Sequence, residues 1–111
     1  MTFQIDSSIQ IIKNIVVETM SEFNIKIERI VLFGSRSRGT AKPESDYDIL
    51  IITENFYTVP EKMSVSKIIR KKSAKYLFAV DIMLMSENEI KYLSDKPGNV
   101  VRNSLKEGIT L

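Results

Sequence analysis

Three aspartates and one glycine-serine turn carry the chemistry open to this sequence. Gly34 and Ser35 begin the polar run Gly34-Ser35-Arg36-Ser37-Arg38-Gly39. Ten residues separate Ser35 from Asp46, Asp48 follows two positions later, and Asp81 stands inside the apolar run Ala79-Val80-Asp81-Ile82-Met83. At the start of a strand, a spacing of two puts Asp46 and Asp48 on one face. Carboxylates crowded together without a neighbouring lysine repel each other, and the usual remedy is a divalent cation with hard oxygen ligands, Mg²⁺ or Mn²⁺. An aspartate is rarely buried in an apolar strand unless paired or metal-bound. If the strand of Asp81 lies beside that of Asp46 and Asp48, the three can form a two-metal site. Alone, Asp46 and Asp48 also read as a polar turn feeding a strand, and Asp81 as an edge or salt-bridged aspartate.

The glycine-serine turn supplies the other half of such a site. Gly34 can take backbone angles closed to other residues and lets a phosphate approach the main chain. The amides that follow, with the Ser35 hydroxyl, can donate to phosphate oxygens at the start of a helical turn. Arg36 and Arg38 are near enough in sequence to bring a guanidinium to a triphosphate. The turn is not a Walker loop, because no Gly-Lys-Ser/Thr follows the glycines.

What the chain lacks narrows the choice. Its 111 residues contain no histidine and no cysteine. Triads with histidine, imidazole or thiolate metal sites and disulfide scaffolds are therefore excluded. The formal net charge of +2 is too small to imply a nucleic-acid partner by itself. Apolar stretches fall far short of the ~20 residues of a membrane span, and the first residues lack a basic signal-peptide region. A single domain over residues 1–111, cytoplasmic and without a membrane partner, is the expectation.

The elements that must position these residues follow from periodicity. Ile9, Ile12, Val16, Met20 and Phe23 mark a helix over residues 7–23, capped by Asp6 or Ser7 and closed by Asn24. Residues 25–33 and 47–53 read as strands, the second buried on both faces and therefore central. Because the end of the first must meet the start of the second, the two should run antiparallel. Pro60 suits the first turn of a helix lasting to residue 75, with Val65, Ile68 and Ile69 inward. A third strand covers residues 76–85. Ser86 and Glu89 fit a capping box opening a helix to residue 93. Pro97 and Gly98 break it, and a last helix reaches residue 107, followed by Gly108 as a C′ glycine. The fold class is α/β, also describable as α+β: a small three-stranded mixed sheet with helices packed on it. Met63, Met83 and Met85 are expected in the core.

Gly34-Ser35, Asp46-x-Asp48 and a later single Asp81 resemble the DNA polymerase β-type nucleotidyltransferase superfamily. In so short a chain they resemble its minimal nucleotidyltransferase (MNT) branch. The resemblance extends from the first helix to Ser104-Leu105-Lys106-Glu107-Gly108-Ile109, which lacks only the aromatic residue often found after that glycine. It implies a polymerase β-like fold and transfer of a nucleoside monophosphate, AMP from ATP, to a hydroxyl. Gly34 and Ser35 would hold the triphosphate and Arg38 would pair with its oxygens. Asp46 and Asp48 would ligate both Mg²⁺ ions, with Mn²⁺ as a substitute. Asp81 would ligate the one activating the attacking hydroxyl and could accept its proton.

The same resemblance implies a partner, a HEPN ribonuclease toxin on which such a protein adenylylates a tyrosine as antitoxin. With no histidine, this chain cannot be the HEPN half. Two rival readings stay open: transfer to an RNA end or a small-molecule hydroxyl, and an antitoxin that acts by binding alone. Lys67, Arg70, Lys71, Lys72 and Lys75 form the densest basic cluster. It reads as a solvated helix face or as a contact for RNA or an acidic partner.

Overall fold

The computed structural model describes residues 7–42, 45–96 and 100–111. Helix α1 (Ser7–Glu22) buries Ile9, Ile12, Val16 and Met20 as the periodicity predicts. Phe23, expected as the last member of that stripe, is instead exposed, because the helix has already ended. Asn24 takes the left-handed conformation (φ 56°). Its amide donates to the Ser21 carbonyl (3.0 Å), and the Ile25 amide to that of Met20 (2.9 Å). This is a Schellman closure with asparagine at its left-handed position. Strand β1 (Ile27–Phe33) begins two residues later than expected for the same reason. Asp6, a proposed cap, lies outside the described residues, as do Pro97 and Gly98.

Strand β2 (Tyr47–Thr53) has the expected bounds and runs antiparallel to β1, with Phe33 opposite Asp48. Helix α3 (Val59–Ala74) follows the single helical turn α2 (Ser35–Arg38) in chain order and starts with a capping box between Thr58 and Glu61. Strand β3 (Val80–Ser86) lies parallel to β2 and opens four residues later than expected. Residues 76–78 are spent on closing α3 instead: the Leu77 amide donates to the Ala74 carbonyl and the Phe78 amide to that of Ser73. Ser86 and Glu89 form the predicted capping box of α4 (Glu87–Ser94). Helix α5 (Val100–Glu107) leads through Gly108 into β4 (Ile109–Thr110), which pairs antiparallel with β1.

The sheet is therefore four-stranded, in the order β3-β2-β1-β4, and not three-stranded. A two-residue strand is too short to show as alternation; only its pairing with Val31 and Leu32 reveals it. One sheet face (Ile30, Leu32, Ile49, Ile51, Ile82, Leu84) packs on α1 and α3. The other (Val31, Leu50, Ile52) packs with Ile90 of α4 and Val101 of α5. Alternation along β2 and β3 places Asp48 and Asp81 at the end of this second face. Met83 and Met85 pack against it, as expected. Met63 does not enter the core and is 66% exposed. Val65 and Ile69 define the inward side of α3, and Met63 lies roughly 200° round from Val65. No helix among the described residues is long and apolar enough to cross a membrane.

The site depends on β2 remaining central. Ile51 is fully buried in the first core cluster, so Ile51→Ala should cost about 3 kcal/mol, read as a lower midpoint in urea unfolding with an unchanged slope.

Candidate active site

The paired ends of β2 and β3 bring two of the sequence-predicted carboxylates together. Asp48 and Asp81 are direct partners in the parallel ladder. Asp46 stands just before β2 and, like Asp81, is exposed, whereas Asp48 is partly buried. Burial holds the Asp48 carboxyl above the ordinary carboxylate range, the charges of Asp81 and Asp46 raise it further, and the Arg38 guanidinium opposes them. Like charges crowded in this way favour the protonated form unless a cation intervenes. Among the described residues none of the three forms an ion pair, and no three acidic side chains close round one point. The geometry is thus a neighbouring pair, Asp48 and Asp81, flanked by Asp46. All donors are anionic oxygens, a set whose chemistry fits a hard divalent cation.

Gly34 follows β1 directly and lies against Asp48. Its backbone (φ 73°, ψ −158°) lies in a region essentially restricted to glycine. A Cβ at this position would fall on the Asp48 carboxylate. The bare main chain is what allows the turn and the aspartate to approach. Its carbonyl accepts from the Ser37 hydroxyl (2.8 Å) and from the amides of Ser37 (3.1 Å) and Arg38 (3.3 Å), which fixes α2 with Ser35 at its first position. Arg38 projects from the end of α2, its Nη1 3.4 Å from Oε2 of Glu107, with both side chains about half exposed. Such a surface pair holds little energy, so Arg38 can exchange it for another anion.

Arg36, expected beside Arg38 at the phosphates, reaches Ser45 and Tyr47. Its Nε and Nη2 donate to the Ser45 carbonyl (3.3 and 2.8 Å), and its guanidinium lies 4.2 Å from the centre of the Tyr47 ring. These contacts fasten the segment carrying Asp46 to the glycine-serine turn. Sequence spacing alone could not separate the two arginines; the only signal was an aromatic residue between Asp46 and Asp48. Arg36→Met should lower the melting temperature by several degrees, from a loss of about 2 kcal/mol in charge-assisted hydrogen bonds, read by differential scanning fluorimetry.

The basic cluster on α3 is also divided. Lys72 bridges to α1, its Nζ 3.2 Å from Glu18 and 2.7 Å from Glu22. Lys67, Arg70, Lys71 and Lys75 are exposed, on the opposite side of the sheet from Asp48 and Asp81.

Comparison with known proteins bears on the family and the fold. The family model described as a nucleotidyltransferase domain matches residues 12–110. The chain belongs to the nucleotidyltransferase domain family. One relative of this nucleotidyltransferase is the Methanocaldococcus jannaschii protein named "Putative protein adenylyltransferase MJ0141". It is 38% identical over 68 residues, which are 61% of this chain and 69% of that protein. Among solved structures, a "putative minimal nucleotidyltransferase" superposes with a TM-score of 0.64 at 22% identity, covering 99% of this chain and all of that one. A toxin-antitoxin structure with AMP-PNP gives 0.59 at 19% identity, over 88% and 70% of the two chains. The fold of this nucleotidyltransferase is thus the polymerase β-like one.

Proposed function

We propose that this nucleotidyltransferase moves AMP from ATP to a tyrosine hydroxyl of a partner protein, a HEPN ribonuclease toxin, and acts as its antitoxin. The observation that carries the chemistry is the Asp48–Asp81 pair beside a glycine that nothing larger could replace. The protein acceptor is supported by the name of the 38% identical relative and by the toxin-antitoxin neighbour with its bound nucleotide analogue.

In this reading Asp46, Asp48 and Asp81 hold Mg²⁺, for which Mn²⁺ can substitute. Bound there, the metal neutralises triphosphate charge and acidifies the attacking hydroxyl. Gly34 and the Ser35 hydroxyl seat the triphosphate, and Arg38 leaves Glu107 to meet its oxygens. The acceptor oxygen attacks the α-phosphorus while the bond to the β-phosphate oxygen breaks. Pyrophosphate leaves, and Asp81, the most solvent-accessible of the paired carboxylates, takes the hydroxyl proton. Phosphoryl chemistry of this kind asks the protein for positioning and charge balance and little covalent work. That is why a chain without histidine or cysteine suffices.

The test is incubation with α-³²P-labelled ATP, Mg²⁺ and the protein encoded beside this gene. Label on that protein, lost with Asp46→Ala, is expected. Label on RNA or a small hydroxyl compound instead would overturn the protein acceptor. Full neutralisation of the partner by Asp46→Ala would show that binding alone suffices.

A further inference from the structure

Two helices of this fold end in the same hydrogen-bonded closure, and the difference between them is informative. At the end of α1 the left-handed position is taken by Asn24, an ordinary occupant. At the end of α3 the same pair of bonds, Leu77 amide to Ala74 and Phe78 amide to Ser73, places Leu77 there with φ 62°. A branched apolar side chain is disfavoured on that backbone. Leu77 gains nothing from burial in return, being 94% exposed. Neither helix termination nor the core explains a leucine here, and strained residues of this kind cluster at ligand contacts.

The turn is tied to the candidate active site. Tyr76, half-exposed, stacks on Phe78 (5.9 Å between ring centres), and Phe78 meets Tyr47 edge-on (5.8 Å). Tyr47 lies between Asp46 and Asp48, and its amide donates to the Ala79 carbonyl (2.9 Å). A cavity of about 360 Å³ opens between Tyr76, Leu77, Arg36 and Ser45. On the helix side, Arg70, Lys71 and Lys75 are exposed and form no ion pair among the described residues.

We propose that residues 76–78, with Arg70, Lys71 and Lys75, form the acceptor-docking surface, which seats an apolar side chain flanked by acidic residues on the partner protein. This rests on the protein-acceptor reading above. The uncompensated positive charge selects an acidic segment, and Leu77 and Tyr76 supply the apolar anchor beside Phe78 and Tyr47, at the strand end that carries Asp48 and Asp81. A protein is favoured over RNA because the most exposed side chain of the surface, Leu77, is aliphatic and Tyr76 is already stacked on Phe78.

The experiment measures binding of the full chain to the protein encoded beside its gene by biolayer interferometry, alongside label transfer from α-³²P-ATP. Leu77→Asn should weaken Kd at least tenfold and raise the acceptor KM similarly, while the melting temperature stays level or rises because asparagine suits the left-handed backbone. Lys71→Glu with Lys75→Glu should weaken Kd at least tenfold and flatten its dependence on salt. Unchanged Kd in both variants, or wild type that binds RNA of 20 nucleotides but not the protein, would overturn the inference. A lower melting temperature for Leu77→Asn with unchanged Kd would make Leu77 structural and overturn it too. Wild-type binding weakened by these variants but without any label transfer would leave the docking surface standing and remove the adenylyltransferase reading.

Discussion

Asp48→Asn should abolish nucleotidyl transfer, by about 10³-fold or more, while raising the melting temperature of the metal-free protein. The two effects have one cause. Burial and the charges of Asp81 and Asp46 hold the Asp48 carboxyl above its ordinary value of 3.8. The folded state therefore binds that proton more tightly than the unfolded chain does. Its stabilising contribution is present below the ordinary carboxylate range and is lost as pH rises from 3.8 through the raised value, with a constant penalty above. Asparagine keeps the shape and removes the charge, so the penalty disappears along with the ligand. Saturating Mg²⁺ should raise the wild-type melting temperature near neutral pH and leave that of Asp48→Asn nearly unmoved. Thermal scans at several pH values, with and without Mg²⁺, give both readouts. A destabilised Asp48→Asn would mean that the carboxylate serves the fold.

Gly34→Ala is the second large effect. The backbone there is closed to alanine, at a cost of about 1–3 kcal/mol, and the new methyl would displace the Asp48 carboxylate. Transfer should fall about 10²-fold or more, with a melting temperature lower by roughly 10 °C. Gly39 provides the contrast. It also has positive φ (74°), but a Cβ there meets nothing within 4 Å. Gly39→Ala should cost about 1 kcal/mol and leave transfer intact. The pair separates backbone strain, common to both, from the close approach to Asp48, which belongs to Gly34 alone.

These effects could be anticipated because the chemistry-bearing residues lie next to strongly patterned strands. The run Ile49-Leu50-Ile51-Ile52 is buried on both faces, so β2 is central and its bounds are clear from sequence. With β2 central, Asp46 and Asp48 fall at its start and Asp81 beside them. Features set by hydrogen bonding outside periodic segments were hidden. Residues 76–78 have strand-like side chains, yet the closure of α3 claims their amides. Ile109 and Thr110 form a strand only because the β1 edge is free to receive them. Arg36 and Arg38 are equivalent in spacing and differ only in which anion or ring each side chain reaches. Lys72 belongs to the basic run in sequence and to the α1 interface in space.

The most direct test compares wild type with Asp81→Asn in the rate of AMP transfer from α-³²P-ATP to the partner protein at saturating Mg²⁺, with ATP affinity measured in parallel by calorimetry. Asp81 is the exposed partner of Asp48 in the ladder, and its loss leaves the glycine-serine turn untouched. Labelling by wild type, a fall of about 10³-fold in Asp81→Asn and ATP affinity within a few-fold of wild type are expected. Equal transfer rates in the two proteins would contradict the assignment of the paired carboxylates as the catalytic centre.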